Sequence, residues 1–393
     1  MSVLSRKWNY IWSTHPTIVL DHWFHEEIKY RNRSSSSNIS DFKNIVNNIL
    51  LKHSGHIITF VLDISGIGSD DRDIWLRYVS NIGVKELKIE NSTQSTYTLP
   101  SFLFNSGELS HLDITNCAFN MPLASTSFQN LVKLDLKKIS FDPTLAYTIL
   151  EAPQLLTMFF TDCNGLQYLN ISASRLIGLH IVDSHYVDLK ILKAYTELKV
   201  LTIASCDKIQ QYEFWRRFTL TEIICSFPKL IGFCFNSDLF KFVVPHVFPK
   251  RFGFPLENLL ELNLGLCFDD EAQVSAVICL LHSAPQLHTI EIEHKISNVE
   301  KMSRDAVREY LTTPDCIEED VIALRKIKLE GFMNTTNERL FMKLMLAHCP
   351  SLVKVIVKPA ELIEQSNEIL YFYLTVLRFP RASLNVTIDV DHS

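Results

Sequence analysis

One short apolar pattern recurs along most of this chain, and it constrains the fold more than any other feature. The pattern is LxxLxL or a close variant, as in Leu109-Ser-His-Leu112-Asp-Ile114 and Leu131-Val-Lys-Leu134-Asp-Leu136. Its central pair returns at Leu87/Ile89, Met158/Phe160, Leu201/Ile203, Phe233/Phe235, Leu262/Leu264, Ile290/Ile292, Ile327/Leu329 and Val355/Val357. Two compressed copies, centred on Leu169 and Leu179, crowd into the middle, and a degenerate first copy reads Leu62-Asp-Ile64. Alternation with a period of two marks each copy as a short strand with one buried face. Most central residues stand 22 to 29 positions apart, so each strand is one coil of a repeating array.

The expected fold is an α/β leucine-rich-repeat solenoid: a curved parallel sheet of about a dozen coils, with helices or loops on its convex side. Two regularities support it. Cysteine follows the central residue by five positions at Cys117, Cys163, Cys206 and Cys267, where a small side chain faces inward beneath the turn. Proline precedes the strand at Pro153, Pro228, Pro285 and Pro350, where it should end a helix and set the strand entry. Insertions around Tyr212–Phe227 and Lys295–Leu324 predict extra helices or loops. Ahead of the array, Phe42, Ile45, Val46, Ile49 and Leu50 predict a helix over Asp41–His53, capped by Ser40 or Asp41 and stopped at Gly55.

Composition narrows the function classes. The net charge is -6, from 38 Lys+Arg against 44 Asp+Glu, which disfavours nucleic acid as a partner. Eleven glycines are too few for several phosphate-binding loops. No apolar run approaches the ~18 residues that a membrane span needs. The first residues lack the apolar core of a secretory signal. The nine cysteines, none in a CxxC, then read as reduced thiols in the cytoplasm or nucleus.

No catalytic or metal-binding constellation emerges. His22/His25 and His53/His56 are the close histidine pairs, and each supplies two ligands where zinc usually takes three or four. Gly66-Ile-Gly68 reads as the turn after the first repeat strand, not a nucleotide loop. Asp70, Asp71 and Asp73, and the run Asp269-Asp270-Glu271, fit first turns of helices, where carboxylates meet the positive end of the helix dipole. No nucleophile motif such as GxSxG is present. The expectation is a non-enzymatic protein without cofactor or metal.

What remains is binding. In such a repeat the residues between the apolar positions line the exposed concave face. They include His111, Asp113, Lys133, Asp135, Lys137, Thr157, Phe159, Tyr168, Asn170 and His180, then Glu261, Asn263, Glu291, Glu293, Lys326, Lys328, Lys354 and Lys358. Of these, His111, Asp113, Lys133, Asp135, Phe159, Tyr168 and His180 are the expected partner-binding set, because aromatics among mixed charges supply contact area at low entropy cost. Whether the four lysines form one basic strip is open at this level.

The segment Val3-Leu-Ser-Arg-Lys-Trp8-Asn-Tyr-Ile-Trp12, followed by Pro16 and Leu20-Asp21, resembles the second half of a plant F-box. The helix Asp41–His53, Asp73-Ile-Trp75-Leu-Arg-Tyr-Val79, Leu99-Pro100-Ser-Phe-Leu-Phe104, Leu324–Phe332, Leu344–Lys358 and Leu377-Arg-Phe379-Pro-Arg381 extend the resemblance to plant F-box/FBD/LRR-repeat proteins. It implies a partial F-box over 1–21, a linker and helix over 22–56, repeats over 57–322 and an FBD-like cap over 323–393. The first half of the F-box, a Leu-Pro-led helix pair, is missing before Met1. The resemblance further implies a substrate-recognition subunit of an SCF-type ubiquitin ligase, its repeats holding a target protein. Leu4, Trp8 and Trp12 would then meet the Skp adaptor of the cullin scaffold. The alternative is a repeat module that binds partners without recruiting the ligase.

Overall fold

The computed structural model describes residues 13–31, 38–65, 67–93, 95–119, 126–143, 149–166, 170–184, 195–204, 219–244, 248–295, 301–313, 316–317, 319–361 and 368–391. Its contacts divide into two units, Met1–Leu179 with Asp183–Tyr195, and His180–Val182 with Thr196–Ser393.

The first unit carries β1 (Thr17–Leu20), β2 (Thr59–Asp63), β3 (Glu86–Glu90), β4 (His111–Thr115), β5 (Lys133–Lys137) and β6 (Thr157–Thr161). All are parallel, and each pairs with its successor. Strand β7 (Gly178–Val182) is divided between the units. The register stacks equivalent apolar positions: Phe60, Leu87, Leu112, Leu134 and Met158 are aligned partners, and Leu62, Ile89, Ile114, Leu136 and Phe160 form the next row. All ten are buried. Each fully buried side chain of this kind contributes about 1.5–3 kcal/mol relative to exposure.

After each strand from β4 to β7 the chain leaves through a left-handed residue: Asn116, Lys138, Asp162 and Asp183, with φ of 56°, 54°, 53° and 51°. That conformation turns the backbone sharply and suits Asn and Asp, whose side chains bond locally, better than Lys. The aligned residues Leu112, Leu134 and Met158 are 22 and 24 positions apart. Among the described residues of the return paths, two-to-three-residue strands form two small parallel sheets: Tyr97–Thr98, Cys117–Phe119 and Ser140–Phe141; then Thr126–Ser127, Leu150–Glu151 and Ile171–Ser172. A 3-10 helix, Ser101–Asn105, lies between Tyr97–Thr98 and β4.

Helices α1 (His22–Arg31), α2 (Asn38–Lys52) and α3 (Ser69–Asn81) lie in the early part of this unit. Phe42, Val46 and Leu50 form the buried stripe of α2 at i, i+4, i+8. Trp75 of α3 is 2% exposed, and its indole N–H donates to Asn47 Oδ1 at 2.8 Å. The acidic residues Asp70 and Asp71 do fall in the first turn of α3.

The second unit carries β8 (Val200–Ala204), β9 (Gly232–Phe235), β10 (Glu261–Leu266), β11 (Thr289–His294), β12 (Lys326–Phe332), β13 (Lys354–Pro359) and β14 (Thr387–Val390), again parallel in chain order. Here aligned residues are farther apart: Leu201 to Phe233 is 32 positions and Ile290 to Ile327 is 37. The extra chain forms α4 (Leu220–Cys225), α5 (Ser237–Val243), α6 (Glu271–Ser283), α7 (Lys301–Thr312), α8 (Thr336–His348) and α9 (Glu368–Val376). Capping boxes start α4, through Thr219 and Glu222, and α8, through Thr335 and Glu338. Asp270 caps α6 by accepting from Gln273 N. Gly265 sits where β10 meets the start of α5: a Cβ there would stand 2.1 Å from Ser237 N.

Several expectations shift. Thr17–Leu20, grouped with the helical F-box remnant, is a strand, because its β-branched alternation buries Ile18 and Leu20. The first repeat centres on Phe60 and Leu62, two residues before the expected Leu62/Ile64, since Phe60 is the residue aligned with Leu87. The compressed copy ending in Ile171 is not part of the main sheet; Ile171 pairs with Leu150 in a small one. Helix α2 starts at Asn38, and Gly55 serves a close approach, because a Cβ there would lie 2.8 Å from Thr14 O. Pro228, Pro285 and Pro350 follow helices as expected, but Pro153 follows the short strand Leu150–Glu151.

Candidate protein-interaction surface

The outward residues of β3 to β6 form a three-row field. Glu86, His111, Lys133 and Thr157 make one row; Lys88, Asp113, Asp135 and Phe159 the next; Glu90, Thr115, Lys137 and Thr161 the third. Parallel pairing in register therefore brings His111, Asp113, Lys133, Asp135 and Phe159 together on one face. The field is salt-laced. Lys137 Nζ lies 3.4 Å from Asp135 and 3.6 Å from Asp113, Lys133 Nζ lies 3.9 Å from Asp135, and Lys88 pairs with Glu90 at 2.6 Å. Lys133 also stands 5.0 Å from the centre of the Phe159 ring, within cation–π range. The His111 ring is held by Ser110, whose Oγ is 3.0 Å from Nδ1.

Two carboxylates side by side are electrostatically costly. Asp113 and Asp135 are aligned partners, and Asp135 is 8% exposed. Burial, and then the charge of Asp135, raise the Asp113 carboxyl above its ordinary value, against the pull of Lys137 and Lys88. The Oδ1 atoms of both aspartates are buried with no hydrogen-bond donor among the described residues. Those oxygens and the buried Asp135 form the floor, while Asp113, His111 and the Phe159 ring are half-buried and the lysine ammoniums are the most exposed groups.

His180 belongs to the second unit. Its Nδ1 is 3.0 Å from Thr202 Oγ1, and burial lowers its pKa. Tyr168 lies outside the described residues, as do Leu4, Trp8, Trp12 and Cys206. Asn170 is not on this face: its carbonyl accepts from Leu150 N beside the small sheet. The lysines of the second unit do not form an unbroken basic strip. Lys326 and Lys354 are neighbours, but Lys326 pairs with Glu291 at 3.0 Å and Lys354 with Asp389 at 3.1 Å, while Lys328 is bonded to Glu330.

Repeat positions read from sequence hold their places. Cys117 and Cys163 are fully buried and Cys267 nearly so. The Cys163 thiol donates to Leu136 O at 3.3 Å, and burial pushes its pKa up to about 11. These are packed thiols, not nucleophiles. His22 approaches Asp63, His25 packs at a tilt against Phe42, and the His53 ring meets His15 O. No group of three or more His, Cys, Asp or Glu side chains among the described residues is placed to hold a metal. No described helix is long and apolar enough to cross a membrane.

Sequence reading missed an asparagine clasp. Asn91, buried, donates to Ser95 O and Asn116 O at 2.8 and 2.9 Å, while Asn116 donates to Asn91 O and Thr93 O at 2.9 and 2.7 Å. The signal was present, since Asn116 precedes the buried Cys117 and Asn91 follows the strand one repeat earlier. The buried pair His294 and Glu338 was also missed. Glu338 accepts from His294 Nδ1, Met333 N and Thr335 N, joining the end of β11 to the cap of α8.

Residues 72–292 match the family described as the leucine-rich repeats of the FBD-associated F-box protein At5g56370. The match takes in the whole field from Glu86 to Thr161. This chain belongs to that F-box/FBD/LRR-repeat family. The F-box/FBD/LRR-repeat protein At1g13570 of Arabidopsis thaliana is 24% identical over 389 residues, covering 97% of this chain and 90% of that one. The F-box protein At1g49610 of the same plant is 23% identical over 186 residues, 47% of this chain and 43% of that one. The outward field of β3 to β6 stands opposite the buried apolar rows of the same strands.

Proposed function

We propose that this chain is a non-catalytic substrate-recognition subunit of an SCF-type ubiquitin ligase. Its repeats hold a target protein, and its F-box segment tethers that target to the ligase. Leu4, Trp8 and Trp12 are the adaptor-facing residues, spaced to share one helix face and meet the Skp adaptor. His111, Lys133 and Phe159 are the accessible centre of the target surface, with Asp113 and Asp135 holding the lysines in place. Tyr168 and His180 are further target-contacting residues proposed from the sequence. The work is positional: the subunit raises the effective concentration of target near the ligase, and no residue of this chain makes or breaks a bond.

The observation that carries this reading is the aligned field of charged and aromatic residues inside the repeats of an F-box/FBD/LRR chain. The test is a titration of the purified chain with a plant Skp adaptor, beside Trp8→Ala/Trp12→Ala. Saturable binding that falls by about tenfold or more in the double variant supports the reading, as expected for aromatic hot spots. Binding untouched by the double variant removes the assigned role of those indoles. Absence of binding reassigns the chain to the alternative, a repeat module that works apart from the ligase.

A further inference from the structure

The second unit holds an apolar cavity of about 250 Å³ between two successive strand-entry turns. It opens to solvent along Cys225, Pro228, Pro255 and Asn258, which are exposed, while Phe227, Leu230, Phe233 and Leu259 within it are buried. Its deep wall is Phe233 of β9, a residue on the buried side of its strand, together with Leu230 and Leu259. One flank is the end of α4 and the turn after it, Ile224 and Phe227, where Leu230 N donates to Phe227 O at 3.1 Å. Phe254 stands on the opposite flank.

That flank is held from outside the cavity. Leu256 N and Phe252 N donate to Ser283 O and Oγ at 2.6 and 2.9 Å, and the Phe252 and Phe254 rings stack at 5.6 Å. Asn258 Nδ2 then donates across to Pro228 O at 3.1 Å, clipping the two flanks together. The hollow is thus preformed rather than a gap between independent loops, which is the usual condition of a small-molecule site. Because Phe233, its strand residue, is on the buried side of β9, the hollow does not lie on the outward face of that strand.

The lining selects the chemistry of the occupant. No charged side chain contributes to it, so an ion would be stripped of water without a partner. The polar wall groups are the Cys225 thiol and the Asn258 amide, whose NH₂ is engaged with Pro228 O and whose Oδ1 carbonyl is left as an acceptor. Aromatic walls favour a flat ring, by offset or edge-to-face packing. We propose that this cavity binds a small neutral aromatic molecule carrying a single hydroxyl or N–H donor, with the ring among Phe227, Phe233 and Phe254 and the donor toward Asn258.

The experiment uses the full chain with 2-naphthol as probe and naphthalene-2-carboxylate as its charged counterpart. Binding is followed by probe fluorescence, and alkylation of Cys225 by iodoacetamide is mapped by mass spectrometry. The expected result is one saturable 2-naphthol site, slower alkylation of Cys225 when it is filled, and carboxylate binding weaker by about tenfold or more. Leu256→Trp, which fills the hollow from a half-buried position, should reduce 2-naphthol affinity by about tenfold. Asn258→Leu, at an exposed position, should reduce it while sparing unsubstituted naphthalene. Absence of saturable binding, unprotected Cys225, equal binding of the carboxylate, or unchanged affinity in both variants would overturn the assignment.

Discussion

The two units use the same strand and differ in how the chain gets back to it. From β4 to β6 of the first, aligned residues Leu112, Leu134 and Met158 recur after 22 and 24 positions, and the described part of the return holds left-handed turn residues and two-to-three-residue strands. In the second, the interval grows to 32 positions from Leu201 to Phe233 and 37 from Ile290 to Ile327, and its described part holds α4, capped by Thr219, and α7. Strand register is preserved in both because it is fixed by the buried apolar rows, which a one-residue slip would turn to solvent. The lesson is that the ladder tolerates any return path that covers its inner face. Left-handed turn residues recur after each strand from β4 to β7, whereas α4, α6 and α8 of the second unit start on side-chain caps.

The largest break should come in the second unit. Gly265→Val places a Cβ 2.1 Å from Ser237 N, a backbone atom that cannot step aside. A loss of about 4 kcal/mol or more is expected in chemical denaturation, whereas Gly107→Ala, with nothing within 4 Å, should be silent. Next, Thr335→Ala removes the capping box of α8 and should cost about 1 kcal/mol, read as faster amide exchange in Thr336–His348. In the first unit the corresponding lever is conformational: Lys138→Gly, at φ 54°, should stabilise by about 0.5 kcal/mol in the same denaturation assay, because Gly escapes the left-handed penalty at some entropic cost.

The smallest effect is electrostatic and depends on pH. The folded Asp113 carboxyl, raised by burial and by Asp135, retains a proton where the unfolded chain has released it. The native state therefore loses stability as pH rises from the ordinary carboxylate value through the raised one. Asp113→Asn should abolish that loss. The variant should be more stable than wild type at neutral pH, and the gain should shrink to nothing as pH falls below the ordinary carboxylate range. Thermal melts across that range check the sign.

Much of the fold was legible because period-two alternation is a direct imprint of one buried face. The same imprint explains the errors. Ile171 and Leu150 alternate and are buried as ladder residues are, so a small return strand looks like a repeat strand in sequence. Phe60 and Leu62 were displaced by two because Leu62-Asp-Ile64 satisfies the same alternation, and only pairing with Leu87 and Ile89 chooses between them. The concave set was legible for the same reason its core was. The pairing of Asp113 with Asp135, the Asn91–Asn116 clasp and the hollow beside Phe233 depend on which coils become neighbours, information that no single repeat contains.

The most direct test of the account is the titration of the intact chain with a plant Skp adaptor, with Trp8→Ala/Trp12→Ala alongside. A ligase-recognition subunit predicts saturable binding that the double variant weakens by about tenfold or more. A chain that binds no adaptor, or binds it equally well without both indoles, would contradict the assignment of Leu4, Trp8 and Trp12 as the tether.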